Sequence, residues 1–281
     1  MSTSEHEQEV LTWRKDRLAR LTAPDGWLSL VGRFELPAGE CRVGSDAGCE
    51  VQLPSQAPPE LGRLSRTGQR ITFAPAAGVN VGLRRARTQT TERVSALVEL
   101  TTDAQGEPDR LVFGSLLLEI MQRGESFAVR VRDTQGAACR GFAGIDYYPI
   151  RSEWRVVARL VPYDPERRID LVYESGDPEP YRSPGAAVFE WQGVEYRVDP
   201  VFDGNRPRLY IIFGDQTNRD TTYGAGRFLY APLPRDGQVV LDFNQAFNPP
   251  CAFTLYAVCP LPPAQNRLAL RVEAGEKRPH S

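Results

Sequence analysis

The sequence predicts a mainly β protein with one N-terminal helix, a first β-sandwich and a second antiparallel β-domain. Three observations carry this reading. From residue 26 onward, strand-like runs alternate with Gly, Pro, Asn and Asp at short intervals. Glycine and proline are abundant, at 24 and 23 residues, as a chain with many tight turns requires. Helical periodicity is confined to the start, where Val10, Leu11, Trp13, Leu18 and Leu21 form an apolar stripe among charged residues.

Ser4 with Glu7 makes a capping box for that helix, and Pro24-Asp25-Gly26 ends it. The strands of the first half are read at GWLSLVGRFEL, CRVGS, CEVQL, RITFA, VNVGLRR, ALVEL, LVFGSLLLEIM and SFAVRVRD. A domain change falls within residues 140–165. The boundaries are therefore set at 1–24 for the helix, 25–150 for the first β-domain and 151–281 for the second. After WRVVARLVPYD, the stretch ERRIDLVYESGDPEPYRSPG reads as turn-rich. Alternation resumes around a turn at Gln192-Gly193. RLYIIFGD reads as a buried central strand with GRFLYAPL and QVVLDFN as antiparallel neighbours, the latter two joined at Asp236-Gly237. CAFTLYAVC and LALRVEA read as further strands, with Glu273 and Glu276 exposed.

Composition limits the partners. With 34 basic and 36 acidic residues, nothing favours nucleic acid or an anionic membrane. The polar start MSTSEHEQEV lacks the charged and apolar regions of an export signal, so a cytoplasmic location is expected. The five cysteines suggest no disulfide framework. On one extended strand Cys251 and Cys259 lie about 26 Å apart, too far to bond or to share a metal.

The two histidines, His6 and His280, stand where chains fray. Catalysis that needs a rigidly held imidazole is therefore not expected, and neither a Gly-x-Ser-x-Gly elbow nor a phosphate loop is present. Candidate chemistry gathers instead in GDQTNRDTTYGAGRF and the strand VVLDFN. The first carries Asp215, Thr217, Asp220, Thr221, Tyr223 and Arg227 on a polar loop leaving a buried strand. In the second, period-two alternation puts Val240, Asp242 and Asn244 on one face. Convergence of these groups would suit a small polar ligand, with Thr217, Tyr223, Arg227, Asp242, Asn244, Asn248 and Asn266 binding it. It would also suit a carboxylate-based hydrolase of a polar, carbohydrate-like substrate, with Asp215 or Asp242 as base and Asp220 or Tyr223 as acid. A third reading is a non-enzymatic scaffold whose protein partner the residues do not specify. The acidic spacing is too open for a dedicated calcium loop, and neither a metal nor a cofactor is expected.

Two resemblances add to this. GECRVGSDAGCEVQLPS followed by LSRTGQRITFAP resembles the opening strands of a forkhead-associated sandwich. Gly44-Ser45 stands where that module shows Gly-Arg, and no histidine follows Ser65-Arg66, so phosphopeptide binding is not expected. The runs PDGWLSLVG, RVGS, FAVRVRD, FAGIDYYPI, WRVVA, TYGAGRFLYA, LDFNQAFNPPCAF, CPLPP, NRL and AGEK together resemble the bacterial family catalogued as domain of unknown function 1684. That resemblance implies that Tyr223, Gly224, Arg227, Asp242, Asn244, Asn248, Pro249, Cys251 and Asn266 occupy signature positions. It implies no reaction.

Overall fold

A computed structural model describes residues 3–86, 88, 90–173, 178–204 and 206–279. His280 lies outside them. The chain is mainly β with an N-terminal helix and several antiparallel sheets, and it divides into two compact units. One unit takes the chain up to Arg20 together with everything from Ala143 onward, and the other spans Leu21–Phe142.

The unit Leu21–Phe142 holds strands β1 (Leu30–Glu35), β2 (Gly39–Gly44), β3 (Val51–Gln52), β4 (Gly62–Thr67), β5 (Arg70–Pro75), β6 (Val81–Arg84), β7 (Thr91–Val94), β8 (Val98–Leu100), β9 (Arg110–Phe113), β10 (Leu116–Arg123) and β11 (Ser126–Asp133). They form one sheet in the order β1-β11-β10-β9-β6-β7 and another in the order β3-β2-β4-β5-β8. Alternate residues of both sheets meet in one core, Val43, Leu64, Ile71 and Phe73 from the second, and Leu83, Leu111, Leu118 and Val129 from the first. The run LVFGSLLLEIM is not one strand. It turns back at Gly114, whose φ is 57°, so β9 and β10 pair as a hairpin.

Asp109 fastens this unit. Its carboxylate accepts from Arg85 Nη1 at 2.9 Å and from the backbone N–H groups of Ala86 and Thr101, each at 3.1 Å. Burial raises its pKa, but the two backbone donors and Arg85 outweigh it, leaving the carboxyl below its ordinary value. A depressed carboxyl contributes stability above its unfolded pKa of about 3.9 and loses it as pH falls through the lower folded value. Between pH 5 and 2, urea titrations should therefore show the wild type losing more stability than Asp109→Asn. Parallel pH profiles would remove Asp109 as an acid-sensitive element.

The other unit contains helix α1 (Thr3–Thr22) as far as Arg20 and strands β12 (Arg155–Val172), β13 (Pro178–Trp191), β14 (Val194–Val198), β15 (Val201–Phe202), β16 (Arg208–Phe213), β17 (Arg227–Pro232) and β18 (Gln238–Asp242). The sheets run β14-β13-β12-β18 and β15-β16-β17. Their shared core includes Phe189, Phe213, Leu241 and Phe243, with Trp154 stacked on Trp191 at 3.9 Å. The Gln192-Gly193 turn joins β13 to β14.

Three expectations are corrected here. The stretch read as turn-rich extends β12 and β13 into a long antiparallel pair, because strand pairing overrides local turn propensity. The Asp236-Gly237 turn forms, with φ of 50° and 71°, but it passes the chain between sheets, and β18 pairs with β12. Beyond Asp242 the expected strands are absent through Pro279. CAFTLYAVC opens in a short 3-10 turn and continues in irregular backbone, and 268–274 bends at 269–270 and forms no ladder of its own. The apolar alternation there is real: Leu268, Leu270, Val272 and Ala274 all enter the core.

Candidate functional site

A segment that buries apolar side chains without strand pairing must satisfy its backbone groups elsewhere. The predicted site residues do this work. Arg227 opens β17 and is fully buried. Its Nη2 donates to Asp215 Oδ2 at 2.7 Å and to the Val272 carbonyl at 2.8 Å, and Nη1 donates to the carbonyls of Ala274 and Glu276. Asp215 Oδ1 accepts from the backbone and hydroxyl of Thr217, whose hydroxyl also meets that of Thr222. Asn266 Oδ1 accepts from Asp199 N at 2.6 Å, and its amide donates to the carbonyls of Asp199 and Ile212. Asn244 likewise bonds both backbone groups of Arg151. Asp220 is exposed and pairs with Arg271 at 2.8 Å, while Tyr223 donates to the Cys251 carbonyl at 3.2 Å.

Asp242 and Asn244 do come together, although not as alternate residues of one strand. β18 ends at Asp242, which caps the 3-10 turn Phe243–Gln245 by accepting from Asn244 N and Nδ2 through Oδ1. Its other oxygen, Oδ2, lies 2.7 Å from His6 Nε2. His6 therefore does not fray. It is 4% exposed on α1, held by a carboxylate 236 positions along the chain.

The helix face carrying His6 also presents Val10, Trp13, Arg14 and Arg17, spaced so that they lie on one side. Leu11 and Leu18, read as part of the buried stripe, are 46% and 41% exposed. Arg17 Nε donates to Glu276 Oε1 at 2.8 Å and its Nη2 to the Asn248 carbonyl at 3.0 Å. Glu276 Oε2 accepts from Asn248 N at 2.7 Å. Glu276, expected to be exposed, is thus completely buried. Asn248 itself donates to the Lys277 carbonyl.

Beside this pair the Arg14 guanidinium lies 4.2 Å over the Tyr147 ring and donates to the Tyr148 carbonyl. Burial lowers the Arg14 pKa. Burial, then the Glu276 charge, raises that of Tyr147, so its phenol keeps its proton. Among the described residues, three buried polar atoms of this cluster have no hydrogen-bond partner: Arg14 Nε, Tyr147 Oη and Asn248 Oδ1. The cluster offers two donors and one acceptor, with two guanidinium groups against one carboxylate. Of these groups the sequence singled out Asn248 alone. For Arg14 and Arg17 the readable signal was their helical spacing with His6 on the face of Val10.

Comparison with known proteins places this unit in context. Residues 140–277 match the family model described as "Protein of unknown function (DUF1684)". The match begins after PDGWLSLVG, RVGS and FAVRVRD. A solution NMR structure of an uncharacterized protein from Haloarcula marismortui is 28% identical over 49% of this chain and 78% of that one, with a TM-score of 0.42. No curated protein matches the chain. Among the described residues no helix is long and apolar enough to cross a membrane.

Proposed function

We propose that this chain, whose residues 140–277 belong to the DUF1684 family, binds a small anionic, hydroxyl-bearing metabolite where α1 meets the C-terminal segment. The observation that carries the reading is the set of three buried, unpartnered polar atoms on Arg14, Tyr147 and Asn248. Such groups cost free energy unless something satisfies them. Arg14 and Tyr147 suit a carboxylate or phosphate oxygen, and Asn248 Oδ1 suits a hydroxyl donor. In this reading Arg227, through the Glu276 carbonyl, and Asp242, through His6 of α1, hold the segments that carry the site. The protein is taken to be cytoplasmic, without nucleic-acid or membrane partners, in keeping with its balanced charge.

The test is a thermal-shift screen of sugar acids, hydroxycarboxylates and sugar phosphates. A ligand at a hundred times its dissociation constant stabilises by about 2.7 kcal/mol, enough to raise the melting temperature by several degrees. Tyr147→Phe removes a hydroxyl that has no partner to lose, so its own melting temperature should stay within a few degrees of wild type. The ligand-induced rise should shrink or vanish in that variant. No shift in the wild type, or an equal shift in Tyr147→Phe, defeats the proposal.

A carboxylate-pair hydrolase needs two separable carboxyls in a cleft, and here Asp215 is closed against Arg227 and Asp242 against His6. A scaffold role finds support in the exposed loop residues Leu255, Tyr256 and Val258. It becomes the preferred reading if no compound shifts the wild type.

A further inference from the structure

We infer that Cys251 and Cys259 form a redox-active pair, a modification site at which a peroxide closes a reversible disulfide across the loop they bound. The proposal is independent of the ligand site. Its origin is the failure of the strand reading for CAFTLYAVC: an extended strand would separate the two residues by about 26 Å, but the Cys251 N–H donates to Cys259 Sγ at 3.3 Å. In a gauche rotamer a cysteine sulfur lies about 3 Å from its own backbone nitrogen. Both sulfurs therefore have access to the space around one N–H, and side-chain rotation can bring them to bonding distance.

The two ends of the loop are fixed and its tip stands in solvent. Tyr223 Oη donates to the Cys251 carbonyl at 3.2 Å, and Leu261 N–H donates to the Val172 carbonyl at 2.8 Å. Both contacts, with the Tyr173–Pro260 bridge, hold the thiol-bearing ends in place. Between them the chain has one 3-10 turn, Pro250–Ala252, followed by turns and irregular backbone, and Leu255 at the tip is 97% exposed. Closure therefore asks for movement of two side chains and little of the backbone. Cys251 is half-buried and Cys259 is buried, so the peroxide meets Cys251 first.

The step balances with hydrogen peroxide as oxidant. The Cys251 thiolate attacks one peroxide oxygen, the O–O bond breaks, and the departing hydroxide takes up a proton to become water. The resulting sulfenic acid is attacked at sulfur by the Cys259 thiolate, its oxygen leaves as a second water after protonation, and the S–S bond forms. Two thiols are oxidised and one peroxide is reduced. Phe253 lies within the closed loop, with its ring 5.7 Å from the Arg17 guanidinium carbon, so oxidation would restrain one wall of the helix-docking cluster.

The test treats the full chain with a few equivalents of hydrogen peroxide, blocks remaining thiols and digests with chymotrypsin. Cleavage after Phe253, Leu255 or Tyr256 separates the two cysteines unless a disulfide joins them. The expected result is a linked peptide pair, two hydrogens lighter than its parts, in most molecules. It should be released by dithiothreitol and be absent from Cys251→Ser and Cys259→Ser. The wild-type measurement stands even if a variant fails to fold. Overoxidation of Cys251 without a link, a link to Cys139, or a link between two copies would each overturn the proposal.

Discussion

Arg227→Met is expected to destabilise the protein by about 3–5 kcal/mol, the cost of leaving one partner of a buried ion pair behind. Arg227 and Asp215 have side chains that are both 0% exposed. Methionine preserves much of the apolar volume, but it strands a carboxylate and removes the donor shared by the carbonyls of Val272, Ala274 and Glu276. Those carbonyls belong to a stretch with no ladder of its own, so no neighbouring strand is available to replace the guanidinium. Urea denaturation should show the midpoint falling sharply. Adding Asp215→Asn should recover part of the loss, because it neutralises the stranded charge while keeping an acceptor for Thr217. If Arg227 were instead a ligand-binding group, Arg227→Met would fold with near-wild-type stability and lose only binding. That result would reverse the structural assignment.

The same residues explain how far the sequence could be read. Alternation and turn chemistry located most of the strands, since a half-buried strand and a Gly-containing hairpin are local in origin. The polar residues of the C-terminal segment stood out because they are costly to bury. Their roles did not, because Arg227, Asn244 and Asn266 are satisfied by backbone groups from distant parts of the chain, and the same residue types also line ligand sites. Leu268, Leu270, Val272 and Ala274 show the corresponding limit for strands. Period-two burial records that one side of the segment enters the core, but it does not say whether the backbone is a strand or whether a neighbour completes a ladder. The helix was misread for a related reason. Its apolar residues suggested one face, whereas His6 and Arg17 turn toward the core because Asp242 and Glu276 await them there. A polar or charged side chain can be buried when its partner is held in place, and that partner lies more than 200 residues away in both cases.

Glu276 supplies the second large effect. Its carboxylate accepts from Arg17 through one oxygen and from the Asn248 backbone through the other, and its side chain is 0% exposed. Glu276→Gln keeps the shape but replaces one acceptor with a donor facing an N–H group and leaves the Arg17 guanidinium without its counter-charge. A loss of about 3–5 kcal/mol is expected, concentrated where α1 docks. Hydrogen exchange should therefore show residues 3–20 losing protection before the strands do. In a double-mutant cycle, Arg17→Met and Glu276→Gln should be coupled by about 1–3 kcal/mol. Additive losses, or unchanged protection of the helix, would show that the pair does not dock it. The consequence reaches the proposed ligand site, because Arg14 is carried by the same helix and its position over Tyr147 depends on that docking. Glu276→Gln should thus weaken ligand binding as well as stability, whereas Tyr147→Phe should weaken binding alone. The contrast separates a residue that builds the site from one that meets the ligand.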